Sequence, residues 1–412
     1  MDITASESII RKFYPLKRHD REMRPRILIF CDYYLPGFKG GGGMWSVVNL
    51  VDRFKAEYDF SVVTRDHDLA ETSPYRDIVR GDWNKVGNAK VFFFEKGELT
   101  AKRAAELAAE VRPDAVYLNS VFSLPVRRFL SARRKRLIDD VPVILAPCGE
   151  LSKAALAIKP FKKKLFLTYA KAVGLYNGVI WKASFDADAL DIRDVFGQDV
   201  EVMTAPDLVP ETILPDYSPS WKPKKEPGSV RFVYLSRISP KKNLIYLLER
   251  LKEIRVGDVT LEIIGPVDDE AYWRQCERAI AELPANVKTR RLGAFPNREA
   301  LRLVAKDHFF VMPTLNENFG YVFIEALAAG CPILISDNTV WTDIEEKKAG
   351  WQIPLDNPER FVETMNECIG MQGREYTQMS NSAREYALDW LSRTEINEAT
   401  AAVLARAVEG RV

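Results

Sequence analysis

The stretch RILIFCDYYLPGFKGGGGMWSVVNLVDRF, residues 26–54, contains the pattern that organises this chain. The apolar run RILIF is typical of a buried strand, and a loop with four consecutive glycines at 40–43 follows it. Beyond the loop, Trp45, Val48, Val51 and Phe54 recur at helical spacing. The segment therefore predicts a strand, a glycine loop and a helix.

The same alternation continues through both halves of the chain. Apolar runs that read as strands are DFSVVTRD (59–66), AKVFFFEK (89–96), DAVYLNS (114–120), VPVILAPC (141–148), VRFVYLSR (230–237), VTLEIIGP (259–266), FFVMPT (309–314) and PILIS (332–336). Apolar strands that alternate with amphipathic helices indicate doubly wound parallel sheets. The fold class is therefore predicted as α/β with two Rossmann-like domains.

A proline-rich break separates the two halves. Residues 205–228 carry six prolines and little periodicity, which suits a linker. We expect an N-terminal arm at 1–26, a first domain at 27–205, a linker at 206–228 and a second domain at 229–388. Ligands of open α/β sheets bind beyond the carboxyl ends of the strands, so an interdomain cleft is the expected site.

Composition narrows the class of protein. The chain has 412 residues, is 47% hydrophobic and 28% charged, and carries a net charge of +1, so no nucleic-acid partner is indicated. Five scattered cysteines indicate reduced thiols, and three separated histidines do not indicate a metal site. No apolar run reaches the roughly 18–20 residues of a spanning helix. Without a secretory signal, a cytoplasmic location is expected.

Two cations stand where a strand of the second half should end. In YLSRISPKKNL, Arg237 follows the apolar run and Lys242 precedes a predicted helix. Two cations at such a corner suit a diphosphate. A solvated basic loop is the alternative.

Two carboxylates follow in NENFGYVFIEALAAGCPILIS, residues 316–336. Glu317 is predicted in a loop and Glu325 on a helix at 321–329, with the backbone N–H groups of Asn318, Phe319 and Gly320 at its start. Such acceptors and donors suit the hydroxyl groups of a sugar or ribose. Alternatively, Glu325 forms an ion pair with a cation such as Arg237, or the two acids are a glycosidase pair.

The motifs SRISPKKN (236–243) and PTLNENFGYVFIEALAAGCPILISD (313–337) resemble the donor-binding half of GT-B glycosyltransferases of family 4. That family has a Glu, seven residues and a second Glu, with Arg and Lys upstream. PGFKGGGGMWSVVNLVDRF (36–54), VVTRDHDL (62–69), VYLNSVFS (116–123) and APCGELSKAAL (146–156) are similar to bacterial members that build exopolysaccharide or O-antigen.

The resemblance implies roles for these residues. Glu325 would accept hydrogen bonds from the ribose of a nucleotide-sugar, and Glu317, with the amides of 318–320, would hold the donor hexose. Arg237 and Lys242 would neutralise the diphosphate leaving group. Gly41, Gly42 and Gly43 would let the first helix approach the donor phosphates or the acceptor. The resemblance also implies retaining, metal-independent chemistry without a cofactor, and a C-terminal helix at 389–412 that crosses back to the first domain.

The chain departs from these relatives in its first half. Many relatives carry a histidine at a strand end where this chain has Asn119 and Ser120. Cys148 stands where arginine is frequent, and Lys182 stands where histidine is frequent. His67 is an alternative, although a surface loop is its expected place. Asn119 and Lys153 remain candidates for the acceptor side.

A basic stretch follows the first-half motifs. Residues 151–185 contain seven lysines and no acidic residue before Asp186, with apolar residues interleaved. A solvated helix face is one interpretation. The other is a surface around Lys159–Lys171 that meets anionic lipid or a lipid-linked acceptor, which makes the protein peripheral at the inner face of the plasma membrane.

These observations predict a hexosyltransferase that uses a nucleotide-diphosphate sugar and a glycan or lipid-linked saccharide acceptor in surface polysaccharide biosynthesis. A GT-B-fold nucleotide-sugar epimerase and a catalytically idle GT-B binding subunit are the alternatives. The missing histidine favours the idle subunit, whereas Glu317, Glu325, Arg237 and Lys242 favour the enzyme.

Overall fold

The structure is a computed structural model that describes residues 24–410. The arm predicted at 1–26 lies outside the described residues except for its last three. The chain forms two compact units. The described part of the first comprises 24–209 and 393–410, and the second is Pro210–Ser392.

The first unit is a parallel sheet with helices on both faces. Its strands are β1 Arg26–Phe30, β2 Asp59–Arg65, β3 Trp83–Val86, β4 Ala89–Phe94, β5 Ala115–Asn119, β6 Val143–Ala146, β7 Val179–Ala183 and β8 Val202–Thr204. Their order in the sheet is β3-β4-β2-β1-β5-β6-β7-β8, and only β3 is antiparallel to its neighbour. The helices are α1 Gly42–Arg53, α2 Ala101–Val111, α3 Leu124–Arg134, α4 Lys153–Ala157, α5 Pro160–Ala172, α6 Asp186–Phe196 and, at the C-terminus, α13 Thr394–Glu409.

The side chains of β1 point alternately to the two faces of the sheet, and the core of this unit is divided between these faces. Leu28 and Phe30 pack with residues of α2 and α3 on one face. Ile27 and Ile29 pack on the other face with α1 and with residues of α13 such as Leu404. Successive side chains of a strand point to opposite faces, which explains why β1 is apolar throughout.

The second unit is a six-stranded, fully parallel sheet. Its strands are β9 Ser229–Leu235, β10 Asp258–Ile264, β11 Val287–Gly293, β12 Phe309–Met312, β13 Ile333–Ser336 and β14 Gly350–Ile353, in the order β11-β10-β9-β12-β13-β14. The helices are α7 Leu244–Leu251, α8 Glu270–Ala281, α9 Asn297–Val304, α10 Tyr321–Ala328, α11 Pro358–Gly370 and α12 Gly373–Ser392. The helix predicted at 321–329 is confirmed as α10.

The strands that the sequence pattern did not predict lie mostly at the borders of the sheets. Strands β3, β8, β11 and β14 are the four border strands, and β11 reads VKTRRLG with charged residues in it. A border strand is exposed on one side, so its sequence lacks the apolar run that marks a central strand.

The basic stretch 151–185 was interpreted from the sequence as one helical surface, and this interpretation is wrong. It folds as the helices α4 and α5 followed by the buried strand β7. Lys182 lies in β7 and is only 5% exposed, so it does not belong to a basic face. The C-terminal helix predicted at 389–412 begins later than expected. Helix α12 ends at Ser392, and α13 begins at Thr394.

The packing of α13 gives a first testable prediction. Leu404 is fully buried in the core of the first unit, so Leu404→Ala should destabilise that unit by about 2–5 kcal/mol. Hydrogen exchange of the β5 and β6 amides, on which α13 packs, measures the loss. Glu398→Ala, at an exposed position of α13, is the matched control. Equal protection in both variants would contradict this role for α13.

Candidate functional site

The cationic corner of the second unit lies directly beyond β9. Arg237 follows the end of β9, and its Nη1 lies 3.2 Å from Asp268 Oδ2. Lys242 ends a short 3-10 turn, Pro240–Lys242, before α7. Gly265 makes the corner possible: its φ is +135°, and a Cβ there would lie 1.9 Å from the Ser236 carbonyl oxygen. The segments after β9 and β10 therefore approach closely, and only glycine fits between them.

Lys242 and Glu317 form an ion pair between Nζ and Oε2, and each side chain is 13% exposed. Burial by itself would raise the pKa of the Glu317 carboxyl, but the surrounding positive charges outweigh burial and lower it. These charges belong to Lys242, Lys241 and Arg237. A partly buried carboxylate that remains ionised beside several cations can accept hydrogen bonds from hydroxyl groups.

Glu325 has a different environment. Its Oε1 accepts a hydrogen bond of 2.7 Å from Asn297 Nδ2, at the first position of α9. Burial raises the pKa of the Glu325 carboxyl to about 7, and the bond from Asn297 offsets only part of that effect. The alternative in which Arg237 pairs with Glu325 is wrong, because Arg237 pairs with Asp268. The acid that pairs with a cation is Glu317.

The segment between the two acids is held in one conformation. Gly320 has φ +77°, and a Cβ there would lie 2.5 Å from the Phe323 ring and 2.9 Å from Glu317 Cγ. The carbonyl of Phe319 accepts a 2.7 Å hydrogen bond from Trp341 Nε1. Glycine at 320 is therefore required both by the backbone conformation and by the close approach. Asn318, Phe319 and Gly320 do lie at the start of α10, as predicted.

The glycine loop of the first unit leads into α1. Gly41, with φ +71°, precedes the helix, and Gly42 and Gly43 form its first turn. The carboxylate of Asp68 accepts hydrogen bonds from the backbone N–H groups of Phe38, at 2.8 Å, and of Lys39. Asp68, which follows β2, therefore holds the loop that follows β1 in place.

Asn119, Cys148 and Lys182, where the resemblance leads us to expect other residues, lie on the adjacent strands β5, β6 and β7 or shortly after them. Asn119 is buried, donates from Nδ2 to the Gly43 carbonyl at 2.8 Å, and accepts from Cys148 Sγ at 3.2 Å. Lys182 Nζ lies 2.6 Å from Asp207 Oδ1, and both side chains are 6% exposed. All three side chains are thus engaged within the unit. Lys153, in contrast, is exposed at the first position of α4.

Sequence reasoning missed the partners of the candidate residues. Asp268 orients Arg237, Asn297 orients Glu325, and Asp68 holds the glycine loop. Each follows a strand in the chain, so a search for polar residues just beyond every strand would have found them. Within residues 24–410, no group of three or more His, Cys, Asp or Glu side chains is arranged to hold a metal ion.

Comparison with known proteins locates a family match in the second unit. Residues 219–386 match the family model described as glycosyl transferases group 1. A phosphatidyl-myo-inositol mannosyltransferase of Mycobacterium tuberculosis is 30% identical over 124 residues. That alignment covers 29% of this chain and 31% of the relative, so it spans about a third of the length of the curated protein. These matches agree with the predicted enzyme class, glycosyltransferase.

Solved structures match nearly the whole chain. Sucrose-phosphate synthase of Thermosynechococcus elongatus has a TM-score of 0.71 at 15% identity, covering 94% of this chain and 100% of that one. Anabaena HepE in complex with UDP-glucose has a TM-score of 0.66 at 17% identity, covering 92% of this chain and 99% of that one. At these identities the likeness shows the fold, and it confirms the predicted GT-B class with two Rossmann-like domains.

The raised pKa of Glu325 gives a prediction for stability. The unfolded carboxyl ionises near its ordinary value of 4.5 and the folded one near about 7, so stability falls as pH rises between these values. Glu325→Gln removes this titration and keeps an acceptor for Asn297. The difference in melting temperature between the variant and wild type should therefore increase between about pH 5 and about pH 8. Each kcal/mol of difference in the free energy of unfolding corresponds to about 2–4 °C.

The exposed Glu299 on α9 provides the control for that measurement. Glu299→Gln should leave the difference in melting temperature unchanged across the same pH range. A pH-independent difference for Glu325→Gln would show that burial does not raise the pKa of this carboxyl.

Proposed function

We propose that the protein is a retaining, metal-independent glycosyltransferase of the family 4 type. It would move a hexose from a nucleotide-diphosphate sugar to a glycan or lipid-linked saccharide acceptor in surface polysaccharide biosynthesis. The observation that carries the proposal is the cationic corner of Arg237 and Lys242, with Glu317 ion-paired to it, inside the segment that matches glycosyl transferases group 1.

The corner suits the departing diphosphate. Negative charge develops on the leaving group when the bond between the sugar and the diphosphate breaks, and preorganised cations stabilise that charge. Arg237 and Lys242 are already oriented by Asp268 and Glu317, so little reorganisation is needed when the donor binds. Because these side chains supply the positive charge, no metal and no cofactor are part of the proposal.

The two acids suit different parts of the donor. We assign Glu325 to the ribose hydroxyls and Glu317, with the 318–320 backbone, to the hexose. Glu317 remains ionised and lies against Lys242, so it would bring the sugar next to the diphosphate. The UDP-glucose in the HepE structure supports a nucleotide-sugar as the class of donor. The glycine loop at Gly41–Gly43, held by Asp68, is assigned to the phosphates or the acceptor.

Two variants test the donor assignment. At about pH 8, where the Glu325 carboxyl is mostly ionised, Glu325→Ala should weaken binding of every nucleotide-sugar by about 10- to 100-fold, since hydrogen bonds to a charged group contribute about 1.5–3 kcal/mol. Glu317→Ala should abolish most transfer while nucleoside diphosphate binding stays largely intact. Calorimetry and thermal shift with UDP-, GDP- and dTDP-sugars, and with the diphosphates alone, separate the two effects. Unchanged transfer in both variants would overturn the assignment.

The exposed Glu277 on α8 is the matched control, and Glu277→Ala should bind and transfer like wild type. The same assays distinguish the enzyme classes. A transferase releases nucleoside diphosphate in proportion to acceptor glycosylated, whereas an epimerase interconverts nucleotide-sugars without an acceptor. An idle binding subunit would bind the donor without either reaction.

The surface of α5 supports contact with a membrane. Phe161, Leu165 and Tyr169 follow one another at intervals of four residues and are 79%, 62% and 54% exposed. Lys162 and Lys164 are exposed beside them. The opposite side of the helix is packed, with Leu167 buried in the core. A helix with exposed apolar residues flanked by lysines is typical of binding at an anionic lipid surface.

We therefore propose peripheral association with the inner face of the plasma membrane, where a lipid-linked acceptor would be presented. Among residues 24–410, none of the helices has the length and apolar character needed to cross a membrane. The association would then depend on the α5 surface, which we define as Phe161, Lys162, Lys164, Leu165 and Tyr169.

Vesicle co-sedimentation tests this surface. Lys162→Gln with Lys164→Gln should weaken binding to phosphatidylserine-containing vesicles by about 2 kcal/mol, roughly 30-fold, because each lysine near such a surface contributes about 1 kcal/mol. Phe161→Ser with Leu165→Ser should weaken binding even at high salt. The control carries Lys288→Gln and Lys306→Gln, two exposed lysines of the second unit. Equal binding by all variants would exclude the α5 surface.

A further inference from the structure

A segment that has no role in the proposed function lies against the donor loop, which we define as residues 317–320. The segment follows β13 and contacts both ends of this loop. The Asn338 carbonyl accepts a 3.0 Å hydrogen bond from the backbone N–H of Glu317, and Trp341 Nε1 donates the 2.7 Å bond to the Phe319 carbonyl. Both segments belong to the second unit, so the contact is complete within one domain.

The indole of Trp341 is enclosed and cannot turn freely. The residue is only 1% exposed. Its ring centroid lies 5.2 Å from that of Phe319, 5.0 Å from that of Trp390 and 6.1 Å from that of Tyr386. The last two residues lie on α12, so the indole packs against both this helix and the donor loop. In a close-packed core the indole N–H therefore keeps the acceptor that it has.

The bond from Trp341 fixes more than the carbonyl that accepts it. The Phe319 carbonyl and the Gly320 N–H belong to one planar, trans peptide unit, in which the C=O and N–H bonds point in opposite directions. Because the carbonyl is directed towards the buried indole, the Gly320 N–H is directed away from it. Of the hydrogen bonds found among residues 24–410, none has this N–H as its donor, and Gly320 is partly exposed.

The conformation of Gly320 makes this peptide unit dependent on an outside anchor. Its φ of +77° lies in the left-handed region, which glycine reaches without a steric clash. Glycine reaches the right-handed and extended regions about as readily, so its own preference does not hold the peptide unit in one orientation. The hydrogen bond from Trp341 supplies the restraint that glycine lacks.

We propose that Trp341 is a positioning residue for the donor hexose. By holding the Phe319 carbonyl, it keeps the Gly320 N–H directed away from the core, where this N–H donates a hydrogen bond to a sugar hydroxyl. Glu317 Cγ lies 2.9 Å from the place that a Cβ of Gly320 would take. An N–H donor therefore stands close to a carboxylate acceptor, and hydroxyl groups both accept and donate. Trp341 is buried and does not itself contact the sugar.

This inference rests on the proposed function, which assigns Glu317 and the 318–320 backbone to the hexose. The competing interpretation is that Trp341 serves only the core of the second unit. A loss of packing lowers the melting temperature, but well below that temperature nearly all molecules are folded and no ligand is affected more than another. A positioning role weakens binding of the nucleotide-sugar and leaves binding of the nucleoside diphosphate, which lacks the hexose, unchanged.

Two variants remove the indole N–H. Trp341→Phe removes it together with part of the ring. In the second variant, 3-benzothienylalanine replaces Trp341, so that a sulfur atom takes the place of the N–H while the side chain keeps its size and shape. The second variant decides the matter if Trp341→Phe does not fold. Trp273→Phe is the matched control, because Trp273 is a buried indole of the same unit that packs against Arg291.

The experiment uses the full chain, the donor that binds best among UDP-, GDP- and dTDP-sugars, and the corresponding nucleoside diphosphate. Calorimetry should show a nucleotide-sugar Kd that is about 2- to 10-fold higher in the benzothienylalanine variant, the range for loss of one hydrogen bond between neutral groups. The Kd of the diphosphate should not change. Transfer at saturating donor should fall by about 10- to 100-fold in Trp341→Phe, since small misplacements of a substrate cost that much. Trp273→Phe should equal wild type in all three measurements.

Failure of this inference differs from failure of the proposed function. An unchanged ratio of the two Kd values in the benzothienylalanine variant would overturn the role of Trp341 and leave the glycosyltransferase proposal in place. An equal loss of affinity for both ligands would do the same. If the wild-type protein bound none of the nucleotide-sugars and transferred none, the proposed function would fail and the role of Trp341 would fail with it.

Discussion

The functional geometry of this protein depends on the parallel arrangement of its strands. In a parallel sheet every strand delivers its following residues to the same end, so residues distant in the chain meet there. Arg237 follows β9, Asp268 follows β10 and Glu317 follows β12, and these strands are neighbours in one sheet. The same rule places the Gly43 carbonyl beside Asn119 and Glu150 beside Ser120 in the other sheet.

The two acids of the second unit show how burial and charge together determine protonation. Both carboxyl groups are shielded from solvent, and this burial opposes their ionisation. Glu317 is surrounded by cations that reverse this effect, whereas Glu325 is supported by the neutral amide of Asn297. Two glutamates eight residues apart therefore have pKa values shifted in opposite directions. Such divergence is typical of sites where each acid has its own role.

The first unit shows a comparable division among its polar groups. Asn119, Cys148 and Lys182 stand at positions where the resemblance leads us to expect other residues, and each is engaged inside the unit. Glu150 is held by loop amides but remains partly exposed. A change at one position of a hydrogen-bonded cluster alters what its neighbours can do.

The sequence alone determined the two α/β domains and the central strands other than β7, and it singled out Arg237, Lys242, Glu317 and Glu325 as candidates, because apolar periodicity and local motifs are properties of adjacent residues. Only the tertiary structure decided which groups pair. It joined Lys242 to Glu317, Arg237 to Asp268 and Glu325 to Asn297, and it placed Lys182 in a buried strand. It also placed Glu150, which follows β6, beside Ser120, which follows the adjacent strand β5. The physical reason is that hydrogen bonds and desolvation depend on distances in space, which the order of residues along the chain does not specify.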